Sequence, residues 1–259
     1  MENIIEIKDL KFSYKNNAVF DNLDLEIKKG TFTTIIGPNN SGKTTLVKIL
    51  LGIIKTDSYV KINKKDIKYI ERDKIGYIPN NINDSLIMDT VIDEIMLNNN
   101  KVDNKKLEQL LKEFNLEDKK LENPKNLSSG EQQLIYIISS LLKNPKIIIC
   151  DEAFSMLDNL AKDKMLKILK KLCNEKGITI INVTNDIEDI LYGEYIVVLS
   201  DNKILINDKK EAIINNEKIF KKLNQKMPFM VELSLKLSYY GLLTNIETDM
   251  NRMINKLWK

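Results

Sequence analysis

The chain contains no histidine, so any step that calls for an imidazole must be filled by another side chain. Arginine is almost as scarce: Arg72 and Arg252 are the only two, and lysine supplies the rest of the 40 basic residues set against 37 acidic ones. The resulting net charge of +3 is spread thinly. No polybasic tract occurs, which argues against a nucleic-acid partner and for an ordinary solvated surface. The two cysteines, Cys150 and Cys173, do not form a C-x-x-C pair. Cys150 follows three isoleucines in an apolar run where a thiol behaves as a small hydrophobe, pointing to a reducing compartment and no cysteine-held metal. No run approaches the ~18 apolar residues of a membrane span. The opening Met1-Glu2-Asn3-Ile4-Ile5-Glu6 lacks the basic end and longer apolar stretch of a signal peptide. A cytoplasmic protein is expected, one that would serve a membrane only through a partner. With 259 residues, 43% hydrophobic and 30% charged, the chain can build one large domain, or a domain with a satellite lobe.

Against these absences stands one dense motif. Gly37-Pro38-Asn39-Asn40-Ser41-Gly42-Lys43-Thr44 runs out of the apolar Thr33-Thr34-Ile35-Ile36 and fits G-x-x-x-x-G-K-[ST] at every fixed position. Glycines let backbone N–H groups turn onto phosphate oxygens, and the helix that starts here, expected from Thr44 and Thr45 to about Leu51, points its positive end at the same anion. Lys43 adds a charge for the β- and γ-phosphates, and Thr44 offers a hydroxyl to Mg²⁺. A second element supports the first. Lys146-Ile147-Ile148-Ile149-Cys150 reads as a buried strand that delivers Asp151 and Glu152 at its end. Asp151 would reach Mg²⁺ through water, and Glu152 would orient or deprotonate the attacking water, because phosphoryl transfer is mostly positioning and electrostatics.

Ile4 to Ile7 and Leu10 to Tyr14 read as opening strands, and Leu23 to Ile27 alternates before a Lys28-Lys29-Gly30 turn, so an antiparallel β layer leads the chain. Ile178 to Val183 looks like a second buried parallel strand. From about 84 to 143 the pattern turns helical, with Leu107, Leu110, Leu111 and Phe114 on one face, suggesting a separate helical lobe. Near the end, Pro228 is placed to start a helix and Gly241 to stop it, with Phe229, Leu233, Leu237 and Tyr240 on one stripe. A further stripe follows at Ile246, Met250, Met253 and Leu257. Such short amphipathic helices pack against their own core or bury a partner's surface.

Between loop and strand lies Leu127-Ser128-Ser129-Gly130-Glu131-Gln132-Gln133, a Ser N-cap with Glu131 in the first turn of an apolar helix. The order of phosphate loop, helical lobe, L-S-x-G-x-Q, Asp151-Glu152 and then Ser155-Met156-Leu157-Asp158 resembles the ATP-binding-cassette (ABC) ATPases from end to end. The resemblance implies an α/β fold: a P-loop NTPase (RecA-like) core with an N-terminal antiparallel β layer and an inserted helical subdomain, over residues 1–225, followed by a C-terminal helical extension at 226–259. It also implies ATP and Mg²⁺ as ligands and a head-to-tail dimer with a paralogue or a second copy. In such a dimer the signature residues Ser128, Ser129 and Gly130 of one subunit cap the γ-phosphate held by the other, through an anion site at a helix N-terminus. Tyr14 matches the aromatic that stacks on adenine in this family.

Several positions depart from the family pattern. Ser129 replaces a glycine, and Glu131 a glutamine, which should weaken the anion site unless Glu131 turns away to cap its helix. In Ile75-Gly76-Tyr77-Ile78-Pro79-Asn80-Asn81, Asn80 stands where the metal-sensing glutamine belongs, one methylene short. Asn185, in Ile180-Ile181-Asn182-Val183-Thr184-Asn185-Asp186, takes the place of the switch histidine. Its amide can donate to a γ-phosphate oxygen but carries no positive charge, and loss of one transition-state donor costs ~3 kcal/mol. Slow hydrolysis on this chain's own Lys43 and Glu152 is expected. Met227 to Leu237 resembles the extra C-terminal region of the ATPase subunits of energy-coupling-factor importers, and Asn83-Asp84-Ser85-Leu86 keeps two residues of a segment found there. That likeness implies a transmembrane coupling protein docking near residues 80 to 97, small membrane proteins that bind vitamins or metal cations, and a place on the cytoplasmic face of the membrane. Two other readings remain open: a soluble cassette acting on DNA or ribosomes, and an ATP-binding regulatory subunit that hydrolyses weakly.

Overall fold

The computed structural model describes residues 1–15, 17–82, 85–97, 99, 103–222 and 225–258. Asn83 and Asp84, in the segment likened above to importer ATPases, lie outside the described residues. The chain opens on β1 (Asn3–Tyr14) and β2 (Asn17–Lys28), an antiparallel pair. Two opening strands were expected, and they are one. Asp9 takes the left-handed region at φ 47° and the register shifts between Ile7 and Leu10, so a bulge absorbs the break in alternation without ending the strand. Gly30, at φ 68°, turns the chain into β3 (Phe32–Ile36), which is buried along its whole length, and then through the phosphate loop into α1 (Lys43–Leu50).

Strands β4 (Tyr59–Ile62) and β5 (Lys65–Asp66) complete an antiparallel sheet of order β2-β1-β4-β5. After β6 (Ile75–Ile78) the chain becomes helical, with α2 (Val91–Met96), α3 (Asn104–Glu113) and α4 (Ser129–Leu142). Leu107, Leu110, Leu111 and Phe114 are all buried, as their spacing predicts. Next come β7 (Ile147–Asp151), α5 (Asn159–Lys176), β8 (Thr179–Thr184), β9 (Tyr195–Ser200) and β10 (Lys203–Lys209). They form a six-stranded sheet of order β10-β9-β3-β8-β7-β6, parallel throughout except for the hairpin that adds β10 at one edge. β7 and β8 are buried end to end, which is why both read as continuous apolar runs. One core cluster joins the antiparallel sheet to α1 and the near face of the large sheet; another joins the far face to the helical segment.

The last helices are α6 (Lys210–Ile214), α7 (Glu217–Lys222), α8 (Phe229–Tyr239) and α9 (Met250–Leu257). Gly241 at φ 71° ends α8, and the N–H groups of Gly241 and Leu242 return to the carbonyls of Ser238 and Leu237. The buried stripe differs from the expected one. Phe229 is 60% exposed and Tyr240 81% exposed, while Val231 and Ser234 are fully buried. Ser234 can be inside because its hydroxyl donates to Glu247 O at 2.7 Å and accepts from Glu247 N at 2.9 Å. In the following stripe Met253 is buried, Ile246 and Leu257 are half-buried, and Met250 is exposed. No helix among the described residues is long and apolar enough to cross a membrane.

Candidate functional site

The phosphate loop is shaped by what surrounds it. Ile36 pairs with Val198, which carries Gly37 against β9; a Cβ on Gly37 would stand 2.0 Å from the carbonyl oxygen of Leu199. Gly42 caps α1 at φ 98°, and a Cβ there would meet the Phe20 ring at 2.7 Å. Lys43 is 4% exposed and donates from Nζ to Gly37 O at 2.8 Å and Pro38 O at 3.0 Å. Its third neighbour is Glu152 Oε1 at 3.4 Å. Gly42, Lys43 and Glu152, together with Asn39, Asn40, Thr44, Thr45 and Val19, line an open cleft of about 550 Å³. Val19, from β2, is a residue that sequence reasoning missed, since nothing local marks it. Tyr14 ends β1 with its ring exposed and edge-on to Phe12 at 4.8 Å; it does not line the cleft.

Glu152 leaves β7 at φ 49°, a conformation an L-residue adopts at a cost, and its N–H is held by Val183 O at 2.8 Å. The turn aims its carboxylate at Lys43 rather than along the strand. Asp151 is buried, and its Oδ1 has no hydrogen-bond partner among the described residues; the same holds for Ser41 Oγ in the loop. Burial pushes the Asp151 carboxyl up to about 6, the Glu152 charge adds to this, and Lys43 and Lys48 oppose it. Two buried oxygens lacking partners, beside a cleft that carries the Thr44 hydroxyl, fit a hard divalent cation and phosphate. No group of three or more acidic or thiol ligands gathers among the described residues, so a cation here would depend on Thr44, Asp151 and oxygens of nucleotide or water.

An acid whose folded pKa is raised destabilises the fold as pH climbs from its ordinary value near 3.8 through about 6. Asp151→Asn removes the charge at nearly constant shape. The nucleotide-free variant should match the native chain at pH 4 and exceed it by about 1–2 kcal/mol at pH 7.5, after allowance for screening. Denaturant melts at both pH values check this; equal stability at pH 7.5 would contradict it.

The remaining motif residues do not line the cleft. Asn80 follows β6, and the Ser155 hydroxyl faces both Asn80 Oδ1 at 3.2 Å and Glu152 O at 2.9 Å, which ties the loop after β6 to the turn after β7. Asn185 follows β8 and is exposed; its carbonyl accepts from Gln225 Nε2 at 3.3 Å. The next residue is pinned, with Asp186 N donating to Thr184 Oγ1 at 3.0 Å and Lys162 Nζ 2.6 Å from Asp186 Oδ2. Ser128 and Ser129 are exposed at the start of α4, and neither they nor Gly130 lines the cleft. Glu131 turns back to cap: Ser128 N donates to its Oε2 at 3.1 Å and Ser128 Oγ at 2.9 Å, completing a capping box. Gln133 donates to the carbonyl of Ala153, joining α4 to the turn after Glu152.

Residues 20–155, which hold the phosphate loop, the start of α4 and the Asp151-Glu152 pair, match the ABC transporter family. The chain belongs to the ABC transporter ATPases. It is 37% identical over 243 residues to the energy-coupling factor transporter ATP-binding protein EcfA1 of Fusobacterium nucleatum, covering 89% of each chain. It is 34% identical over 247 residues to EcfA1 of Mycoplasmopsis pulmonis, covering 90% of this chain and 93% of that one. Among solved structures it superposes on cbiO1 of Clostridium perfringens, described as part of the ABC transporter complex cbiONQ, with a TM-score of 0.77 and 25% identity over 90% of this chain and 99% of the other. The dimeric ATP-binding cassette MJ0796, solved with ADP and Pi, gives 0.69 with 30% identity, covering 80% and 98%. The chain is accordingly an ATP-binding, ATP-hydrolysing subunit of the energy-coupling-factor type.

Proposed function

We propose that residues 1–225 form an ATPase domain that works in a head-to-tail dimer at the cytoplasmic face of the membrane. Residues 226–259 are its helical extension. The observation that carries this reading is the separation of two halves of one site: Lys43 and Glu152 share the cleft, while Ser128 and Ser129 stand exposed and, with the half-buried Gly130, do not line it. A second cassette subunit supplies the missing half by presenting the N-terminus of its α4 to the phosphates. Lys43 exchanges its loop carbonyls for the β- and γ-phosphates, which frees Glu152 to orient or deprotonate water. Thr44 and Asp151 are the candidate holders of Mg²⁺, with Asn80 a weaker third. The ion supplies charge neutralisation on the phosphate oxygens. Tyr14 offers a face for adenine and Asn185 an amide donor for the γ-phosphate.

A membrane coupling protein docks on the helical segment near residues 80 to 97. A groove of about 240 Å³ runs between β6 and α4, edged by Tyr77, Glu94, Tyr136 and Ser139, and Ile87, Met96 and Leu97 stand exposed nearby. Small membrane proteins that capture vitamins or metal cations complete the importer. The departures at Asn80 and Asn185 favour an unequal pair, in which a paralogue contributes the intact switch residue.

ATPase activity of the purified chain, alone and mixed with its nearest genomic paralogue, tests this reading together with co-purification of a membrane coupling protein. Activity present only in the mixture supports the unequal pair. Ribosomes or DNA in place of the membrane protein would overturn the importer assignment.

A further inference from the structure

The acidic residue in the signature turn has a dedicated counter-charge. Glu131 accepts from Ser128 through Oε2, and its Oε1 takes Lys119 Nζ at 2.7 Å. Both side chains are more than half covered, at 38% and 27% exposure. Lys119 is itself held from two directions. It sits in the turn between α3 and α4, where Lys119 N donates to Leu116 O at 3.2 Å and Glu122 N donates to Lys119 O at 3.0 Å. The same turn is fastened to the first turn of α2, because Val91 N and Ile92 N donate to the carbonyls of Glu122 and Lys120, each at 3.0 Å. The lysine therefore approaches Glu131 from a fixed backbone, and its hydrogen bond is the largest cause holding that carboxyl below the usual range.

We propose that Lys119 is a positioning residue for the signature turn: it neutralises Glu131 and holds it in the capping geometry, keeping Ser128 and the α4 N-terminus fit to receive a nucleotide phosphate from the partner subunit. A carboxylate in the first turn of a helix that must bind a polyanion repels it, and a hydrogen-bonded ammonium cancels that repulsion while steering the carboxylate toward the cap. The turn that carries Lys119 is also the one fastened to α2, so backbone hydrogen bonds join the counter-charge to the helix that supplies Glu94 to the edge of the proposed docking groove. This inference rests on the composite-site reading above.

The test is a double-mutant cycle on the full chain in its active assembly, reading KM for ATP and kcat separately. Lys119→Met should raise KM by about threefold to fivefold, the range an exposed-to-half-buried ion pair can supply, with kcat nearly unchanged. Lys119→Arg should keep the native KM. In a Glu131→Gln background, Lys119→Met should add no further effect, and the KM increase should shrink as salt rises. A purely structural lysine would instead lower the melting temperature and act equally in both backgrounds, and that result overturns the proposal, as does an unchanged KM in Lys119→Met. Ser128→Arg distinguishes loss of the composite site from loss of the Lys119 contact. If it leaves turnover intact, the composite site itself fails; if it abolishes turnover while Lys119→Met is silent, only the role of Lys119 fails.

Discussion

Replacing Glu152 with glutamine should lower ATP turnover by about 10²-fold or more while ATP binding stays intact or tightens, because a general base typically contributes 10²–10⁴-fold. The expectation comes from where the carboxylate sits. Glu152 lies 3.4 Å from Lys43 Nζ, on a backbone held at φ 49° by the bond from its N–H to Val183 O. Glutamine keeps the shape and the strained turn, so the fold is spared; it loses the proton-accepting oxygen and the negative charge. That charge also lines the cleft proposed to take the phosphates, next to Asp151, whose carboxyl it helps push up to about 6. Its removal relieves repulsion on binding and abolishes activation of water, two effects of opposite sign on affinity and rate. Equilibrium binding of labelled ATP and steady-state turnover, measured on the same preparation, separate them. Turnover within about threefold of the native chain would take the base assignment away from Glu152.

The parts of this site that were legible in the sequence are those where backbone geometry dictates residue type. Gly37 and Gly42 are demanded by a carbonyl at 2.0 Å and a ring at 2.7 Å from any Cβ, and Lys43, named by the motif, closes the loop on the carbonyls of Gly37 and Pro38. The capping box could be read for the same reason, since Ser128 and Glu131 are three residues apart and satisfy each other locally. What escaped is set by contacts across the fold. Val19 reaches the cleft because β2 brings it beside Gly42. Lys119 finds Glu131 across 12 positions of chain, and Ser155 finds Asn80 across 75. The buried stripe on α8 departs from the hydrophobic period because burial of Ser234 depends on Glu247, a partner that no such period reveals. The single long β1 was split in two because a bulge at Asp9 breaks the alternation without breaking the strand.

Asn185→His should raise turnover by about tenfold to a hundredfold, the share of a lost transition-state donor that an amide only partly replaces. The surrounding structure makes this a clean exchange. Asn185 is exposed, and the contacts that fix its loop are made by others: Gln225 to its carbonyl, Thr184 to the N–H of Asp186, and Lys162 to the Asp186 carboxylate. A histidine can therefore enter without disturbing what positions it. An imidazole donates as the amide does and can also carry positive charge as the γ-phosphate leaves, so its advantage should be greatest below its ordinary pKa near 6.5 and shrink as pH rises through it. A pH–rate profile of Asn185→His against the native chain reads both the gain and its slope. If turnover of the chain alone does not change at any pH, Asn185 is not what limits it, and the deficit must lie in the second half of the site, which favours a paralogue's contribution over repair of this loop.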